Sequence, residues 1–284
     1  MSSFIIVILL LFSCVERNTI TKNEIPETNE NKNAVIVSSQ LQSSEQENQQ
    51  AIVIGGYTTN RSLKDIDITG IIYITISDEM SSNLSGVEQL ANANLKQIDL
   101  RLQKDVRNID FSPLQHLQHL EKIEITGRGI TIIPDLSGLS SLRFLRISSG
   151  KITSLDGIEK VPDLETLVIG DNDAYLSDIS SLRHVTNLKN LEFANGNFVI
   201  DFSALQDLPN LEYLLIYHYD VLDLQGISGL KNLKKLVLSP INKGIGGEIA
   251  FAHLDDIGNL TWLRELNIDY LPLNLCQTLP IWKN

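Results

Sequence analysis

The sequence predicts an α/β solenoid of about nine repeats, with a concave parallel β-sheet and short helical or 3-10 turns on the convex side. Three observations carry this. The pattern Leu-x-x-Leu-x-Leu, with aliphatic variants, starts at Ile71, Leu95, Leu120, Leu142, Leu164, Leu188, Leu211, Leu233 and Leu263. Successive starts are 22 to 25 residues apart, except for an interval of 30 before the last. Within each unit the periodicity then changes. Apolar residues at +3 and +5 give the period-two signal of a strand, whereas stretches such as Asp135-Leu-Ser-Gly-Leu-Ser-Ser-Leu142 place them three apart, as a tight helical turn does. A unit this short cannot bury its apolar side alone, so the copies must stack.

The elements follow in chain order. Phe4 to Phe12 is an unbroken apolar run of nine residues. A membrane-spanning helix needs about 20, so the run fits the apolar region of a secretory signal peptide instead. It ends in Leu11-Phe12-Ser13-Cys14, which resembles the lipobox of bacterial lipoproteins. That resemblance implies a signal peptide over 1–13, removed on export, and palmitate-type acylation of Cys14. It also implies a protein anchored to a bacterial membrane, on its periplasmic or cell-surface side. The alternative is a buried N-terminal strand or helix.

Residues 14–50 read as a disordered polar tether. Between Val15 and Gln50, 24 of 36 residues are Asn, Gln, Ser, Thr or Glu, too polar to offset chain entropy by burial. The one apolar patch is Ala34-Val35-Ile36-Val37. Residues 51–70 read as an N-terminal cap. The incomplete copy Leu63-x-x-Ile66-x-Ile68 lies too close to Ile71 to be a full repeat. Residues 71–284 are the repeat domain.

In the returning half of one unit, Asp110-Phe-Ser-Pro113 makes Ser112 an N-cap candidate with Pro113 at the first helical position. The whole frame resembles the leucine-rich repeat family, in the short 22-residue class of internalin-like and phosphatase-regulator proteins. The resemblance implies an Asn at the ninth position of each unit, its amide bonding neighbouring backbones. Only Asn172 occupies that position; Gln103, Arg128, Gly150, Gly196 and Tyr219 stand in other units. Packing of the leucine frame is expected to supply most of the stability.

Side chains between the frame positions face the concave sheet. The central row is Thr75, Asp99, Glu124, Arg146, Val168, Glu192, Leu215, Val237 and Asn267. Units two to four carry charge at Asp99, Arg101, Lys122, Glu124 and Arg146, with Phe144 alongside, whereas units seven and eight carry Tyr213, Leu215, Tyr217 and Val237. Two tyrosines among aliphatics are the composition of a binding patch, with tyrosine as anchor. The partner-binding candidates are therefore Phe144, Val168, Tyr213, Leu215, Tyr217, Val237, Arg101, Lys122 and Arg146. The competing reading is that aromatic and β-branched residues merely suit strands.

A net charge of −12 argues against nucleic acid as a partner. No metal or cofactor is implied: His116-x-x-His119 has ligand-compatible spacing but no Glu or Cys motif beside it. Lys243-Gly-Ile-Gly-Gly247 lacks the ending of a phosphate loop. The sequence thus reads as a non-enzymatic module that binds a protein partner. Two alternatives stay open: a ligand-binding protein or enzyme using the 243–249 insertion, or an assembly subunit self-associating through its C-terminal edge, where Trp282 is the large apolar residue of a possible cap. Cys276 falls thirteen residues after Leu263, where Leu155 and Leu224 stand in other units, and is expected to be a buried unpaired thiol.

Overall fold

This computed structural model describes residues 35–38, 50–55, 71–78, 84, 87–92, 95–102, 109–148, 150–172, 175–195, 197–198, 201–217, 221–239 and 250–268. In chain order the strands begin with β1 (Val35–Ser38), β2 (Gln50–Gly55), β3 (Ile71–Asp78), β4 (Gln97–Leu102) and β5 (Lys122–Gly127). Next come β6 (Phe144–Ser148), β7 (Thr166–Gly170), β8 (Tyr175–Leu176), β9 (Asn190–Ala194) and β10 (Asn197–Phe198). The last five are β11 (Tyr213–Tyr217), β12 (Val221–Asp223), β13 (Lys235–Ser239), β14 (Ala250–Ala252) and β15 (Glu265–Ile268).

Among the described residues one open sheet of eleven strands runs β1-β2-β3-β4-β5-β6-β7-β9-β11-β13-β15. Every pairing in it is parallel except β1 with β2. Parallel neighbours require a crossover, and here each crossover is the return half of a repeat. Nine of the strands, β3 to β7, β9, β11, β13 and β15, belong to the nine starts read from the sequence.

The N-terminal end differs from expectation. Strand β1 lies inside the stretch read as tether and pairs antiparallel with β2, Val35 opposite Ile54 and Ser38 opposite Ala51. The run Val35-Ile36-Val37 is wholly β-branched and suits a strand, although the average composition around it is polar. The antiparallel hairpin opens the sheet, and β2 continues it in parallel onto β3.

The leucine frame is the core. In the unit starting at Leu120, that residue, Ile123 and Ile125 have no exposed surface, and the equivalent Leu188, Leu191 and Phe193 repeat the arrangement. The return half adds its own layer, for example Leu182 and Val185 or Phe202 and Leu205, all fully buried. One hydrophobic cluster runs from Leu84 to Ile268. Each buried aliphatic side chain contributes roughly 1.5–3 kcal/mol, so the frame outweighs any polar contact in the molecule.

Short 3-10 helices close the returns, among them Ser112–His116, Ser180–His184 and Phe202–Leu205. Ser112, expected as the N-cap, is instead the first residue of its helix, Phe111 takes the cap position, and Asp110 Oδ1 accepts from the Ser112 backbone N–H at 2.9 Å. The same device recurs: Asp135 accepts from Ser137, Asp178 from Ser180, Asp201 from Ser203 and Asp223 from Gln225. A carboxylate two residues ahead reaches the orphan N–H of the turn better than a hydroxyl inside it. Two turns open on glycine in the left-handed region, Gly157 at φ 101° and, within the Asp223 turn, Gly226 at φ 86°.

Polar ladders trim the solenoid. Lys96 pairs with Glu121, Lys189 with Glu165 and Lys234 with Glu212, each immediately after a repeat's first leucine. These pairs are solvent-exposed, and each contributes little. Beyond the strands' far ends two further parallel pairs form, β8 with β10 and β12 with β14. Strand β14 lies within the long interval between Leu233 and Leu263, whose residues 240–249 lie outside those described.

Candidate functional site

The register aligns the sheet face opposite the 3-10 returns into unbroken rows. One row joins Tyr73, Gln97, Lys122, Phe144, Thr166, Asn190, Tyr213, Lys235 and Glu265 as successive partners. The central row joins Thr75, Asp99, Glu124, Arg146, Val168, Glu192, Leu215, Val237 and Asn267. The third passes through Arg101, Ser148, Gly170, Ala194, Tyr217 and Ser239. Because no strand slips, residues distant in sequence stand one strand spacing apart, about 4.8 Å.

Of the nine sequence-derived candidates, one does not face solvent. Val168 has no exposed surface. Its row neighbours are Arg146 and Glu192, both longer side chains. Tyr217 and Arg101 are exposed, whereas Lys122, Phe144, Arg146, Tyr213, Leu215 and Val237 are half-buried. Tyr213, Leu215 and Tyr217 share β11, and Val237 is the partner of Leu215 on β13. Phe144 and Arg146 share β6, beside Lys122 on β5. The two groups are three strand steps apart, about 14 Å.

The same three-residue arrangement appears in both groups. Lys122 Nζ lies 2.7 Å from Glu124 and 4.7 Å from the centre of the Phe144 ring. Lys235 Nζ lies 2.7 Å from Glu265 and 5.7 Å from the centre of the Tyr213 ring. In each case a lysine contacts both a carboxylate and an aromatic face, with Glu124 on the strand of Lys122 itself and Glu265 and Tyr213 on the strands either side of Lys235. The remaining basic candidates are also paired, Arg101 with Asp99 at 2.9 Å and Arg146 with Glu124 at 3.8 Å. Burial pushes the Tyr213 hydroxyl up to about 12, helped by the negative charges of Glu192 and Glu265.

Glu192, on the central row, is a carboxylate outside the nine candidates named from the sequence. Its row neighbours are Val168 and Leu215, neither of which carries charge. Among the described residues it has no ion pair or hydrogen bond with a side chain, unlike Asp99, Glu124 and Glu265. The central row itself held the signal: an acidic residue flanked there by two aliphatics.

His116 and His119 are both exposed on the convex return. Among the described residues no three His, Cys, Asp or Glu side chains gather as metal donors. Cys14, the 1–13 segment, the 243–249 insertion, Cys276 and Trp282 lie outside the described residues. Trp262, in the turn before β15, is 62% exposed.

The fold is that of the leucine-rich repeat solenoids. Its neighbours among solved structures are of this class. They include internalin C2 of Listeria monocytogenes, with TM-score 0.54 and 23% identity, covering 70% of this chain and 81% of that one. An internalin, InlF, of the same organism aligns with TM-score 0.52 at 19% identity, over 72% of this chain and 56% of that one. The Toll–Spätzle complex of Drosophila aligns with TM-score 0.53 at 19% identity, over 74% and 29% respectively.

By sequence, the chain is 28% identical over 185 residues to the Arabidopsis thaliana homologue of protein phosphatase 1 regulatory inhibitor subunit PPP1R7, covering 63% of this chain. It is 29% identical over 140 residues to leucine-rich repeat-containing G-protein coupled receptor 5 of Rattus norvegicus, covering 47% of this chain. The aligned region spans 55% of the length of the first of these relatives and 15% of the second. No protein-family model matches the sequence.

Proposed function

We propose that this chain is a non-enzymatic recognition module that binds a protein partner on its concave face. The observation that carries the reading is the cluster of Tyr213, Leu215, Tyr217 and Val237, brought together on two neighbouring strands of the sheet. Tyrosines supply large contact area at low entropic cost, and a sheet held by a continuous core presents them without reorganisation. A regulatory inhibitor subunit of a phosphatase among the relatives, and the Toll–Spätzle complex among the structural neighbours, support protein binding as a use of the fold. The lipobox-like Leu11-Phe12-Ser13-Cys14 supports a membrane-tethered form, exported and held by acyl chains on Cys14.

A photo-crosslinking residue at Leu215 tests the binding face, with the convex, exposed Gln118 as control. The expected result is a partner captured from position 215 and not from 118. Its affinity, measured with the purified components, should fall by roughly 30-fold or more when Tyr213→Ala and Tyr217→Ala are combined. Unchanged affinity in a folded double variant rejects the reading. Mass spectrometry of the mature protein tests the anchor. An N-terminal Cys14 carrying acyl mass supports it, and an intact Met1 excludes it.

A further inference from the structure

Resting on that concave-face reading, we propose the partner's chemistry: a protein segment that presents an arginine or lysine side chain to Glu192 and an adjacent apolar side chain to Tyr213, Leu215 and Tyr217.

The argument starts from charge pairing along the rows. The described carboxylates on this face are Asp99, Glu124, Glu192 and Glu265. Three are neutralised within the molecule: Asp99 by Arg101, Glu124 by Lys122 and Arg146, Glu265 by Lys235. Glu192 alone of these four has no cation, and its row neighbours Val168 and Leu215 cannot supply one. The nearest side chains on its own strand, Asn190 and Ala194, are uncharged, and the Asn190 amide is directed to Thr166 Oγ1 at 3.1 Å.

Position and environment add to this. Glu192 is half-buried beside aliphatic side chains, so its charge is less screened than one on the rim. Its field reaches the tyrosine group: it is one of the two carboxylates that resist ionisation of Tyr213. A cation arriving at Glu192 therefore lands one strand from Leu215, beside a tyrosine, where an arginine plane can also stack. The net charge of −12 favours approach of a basic segment over long range. A partner with an acidic contact residue would meet repulsion at the same place.

The test uses a random peptide library displayed on phage and selected against the full chain. Wild-type protein should enrich peptides in which Arg or Lys neighbours an aromatic or aliphatic residue. Glu192→Gln should keep the apolar preference and lose the basic one. A selected peptide should bind Glu192→Gln about tenfold more weakly than wild type. Replacing that peptide's own Arg or Lys by Gln should weaken it to a similar degree on wild-type protein, whatever the fold of the variant. Apolar enrichment without a basic preference, or a peptide indifferent to both Gln replacements, overturns the proposal and leaves the concave-face reading standing. Peptides whose binding survives Tyr213→Ala with Tyr217→Ala overturn that reading, and the absence of any enrichment overturns both.

Discussion

The Asn172 side chain closes a two-bond clasp on the backbone of Ile152: its Oδ1 accepts from Ile152 N–H at 2.8 Å and its Nδ2 donates to Ile152 C=O at 2.7 Å. The two residues belong to neighbouring turns of the solenoid, and Asn172 is only 2% exposed. A backbone segment that has no strand partner at this corner is thereby satisfied by one amide. Asn172→Ala should orphan both Ile152 groups at about 1–3 kcal/mol each. Urea unfolding should show a loss of roughly 2–4 kcal/mol. A loss below about 1 kcal/mol would mean that water replaces the amide.

The aspartate turns predict acid sensitivity. Hydrogen bonds from Ser112, Ser137, Ser180 and Ser203 hold Asp110, Asp135, Asp178 and Asp201 below the ordinary value of 3.8. For Asp223 the bond from Gln225 acts first and His253 adds to it. A depressed folded value means that the stabilisation is present above the unfolded value and is lost as pH falls through the folded one. The denaturation midpoint should therefore decline below about pH 4. Asp201→Asn, which keeps an acceptor without a titrating charge, should make that decline shallower. An equal slope in wild type and variant would exclude Asp201 as a contributor.

Gly157 tests whether a turn depends on backbone freedom or on space. Its φ is 101°, and a Cβ built there would lie 3.5 Å from Ile133, an ordinary contact. The penalty for Gly157→Ala should thus be conformational, about 1–2 kcal/mol. Gly157→Asn should recover part of it, since Asn enters the left-handed region more readily. Thermal unfolding of the two variants separates the explanations: a larger loss for Asn than for Ala would indicate crowding instead.

Tyr213 should titrate above the ordinary tyrosine value. Burial and two nearby carboxylates place its ionisation at about 12, against an ordinary 10.0. The fold favours the protonated phenol, so stability should fall as pH rises from about 10 towards 12. An ultraviolet absorbance titration should show a step near 12 that Tyr213→Phe removes. Persistence of the step in the variant would reassign it to another tyrosine.

How much of this was legible beforehand varies by element. The nine starts from Ile71 to Leu263 and the alternation after each were enough to place the strands and name the rows, because a buried frame with period two leaves no freedom of register. Strand β1 was hidden: four residues of strand in a polar context are outvoted by their neighbours, and their partner strand β2 begins twelve residues further on. The Asp110 hydrogen bond was missed because Ser112 satisfied the usual signature, although the recurring Asp-x-Ser triplets carried the information.

Sequence alone determined the solenoid, its repeat length, the inward frame and the residues sharing the exposed face, since all of these follow from local periodicity repeated along the chain. It could also point to Asn172 as the single ladder asparagine. The tertiary structure decided which of those face residues are available. Val168 is buried although it stands in the central row, the lysines at 122 and 235 are already engaged, and Glu192 is left without a cation. Side-chain pairing across strands joins residues more than twenty positions apart, which no periodicity encodes.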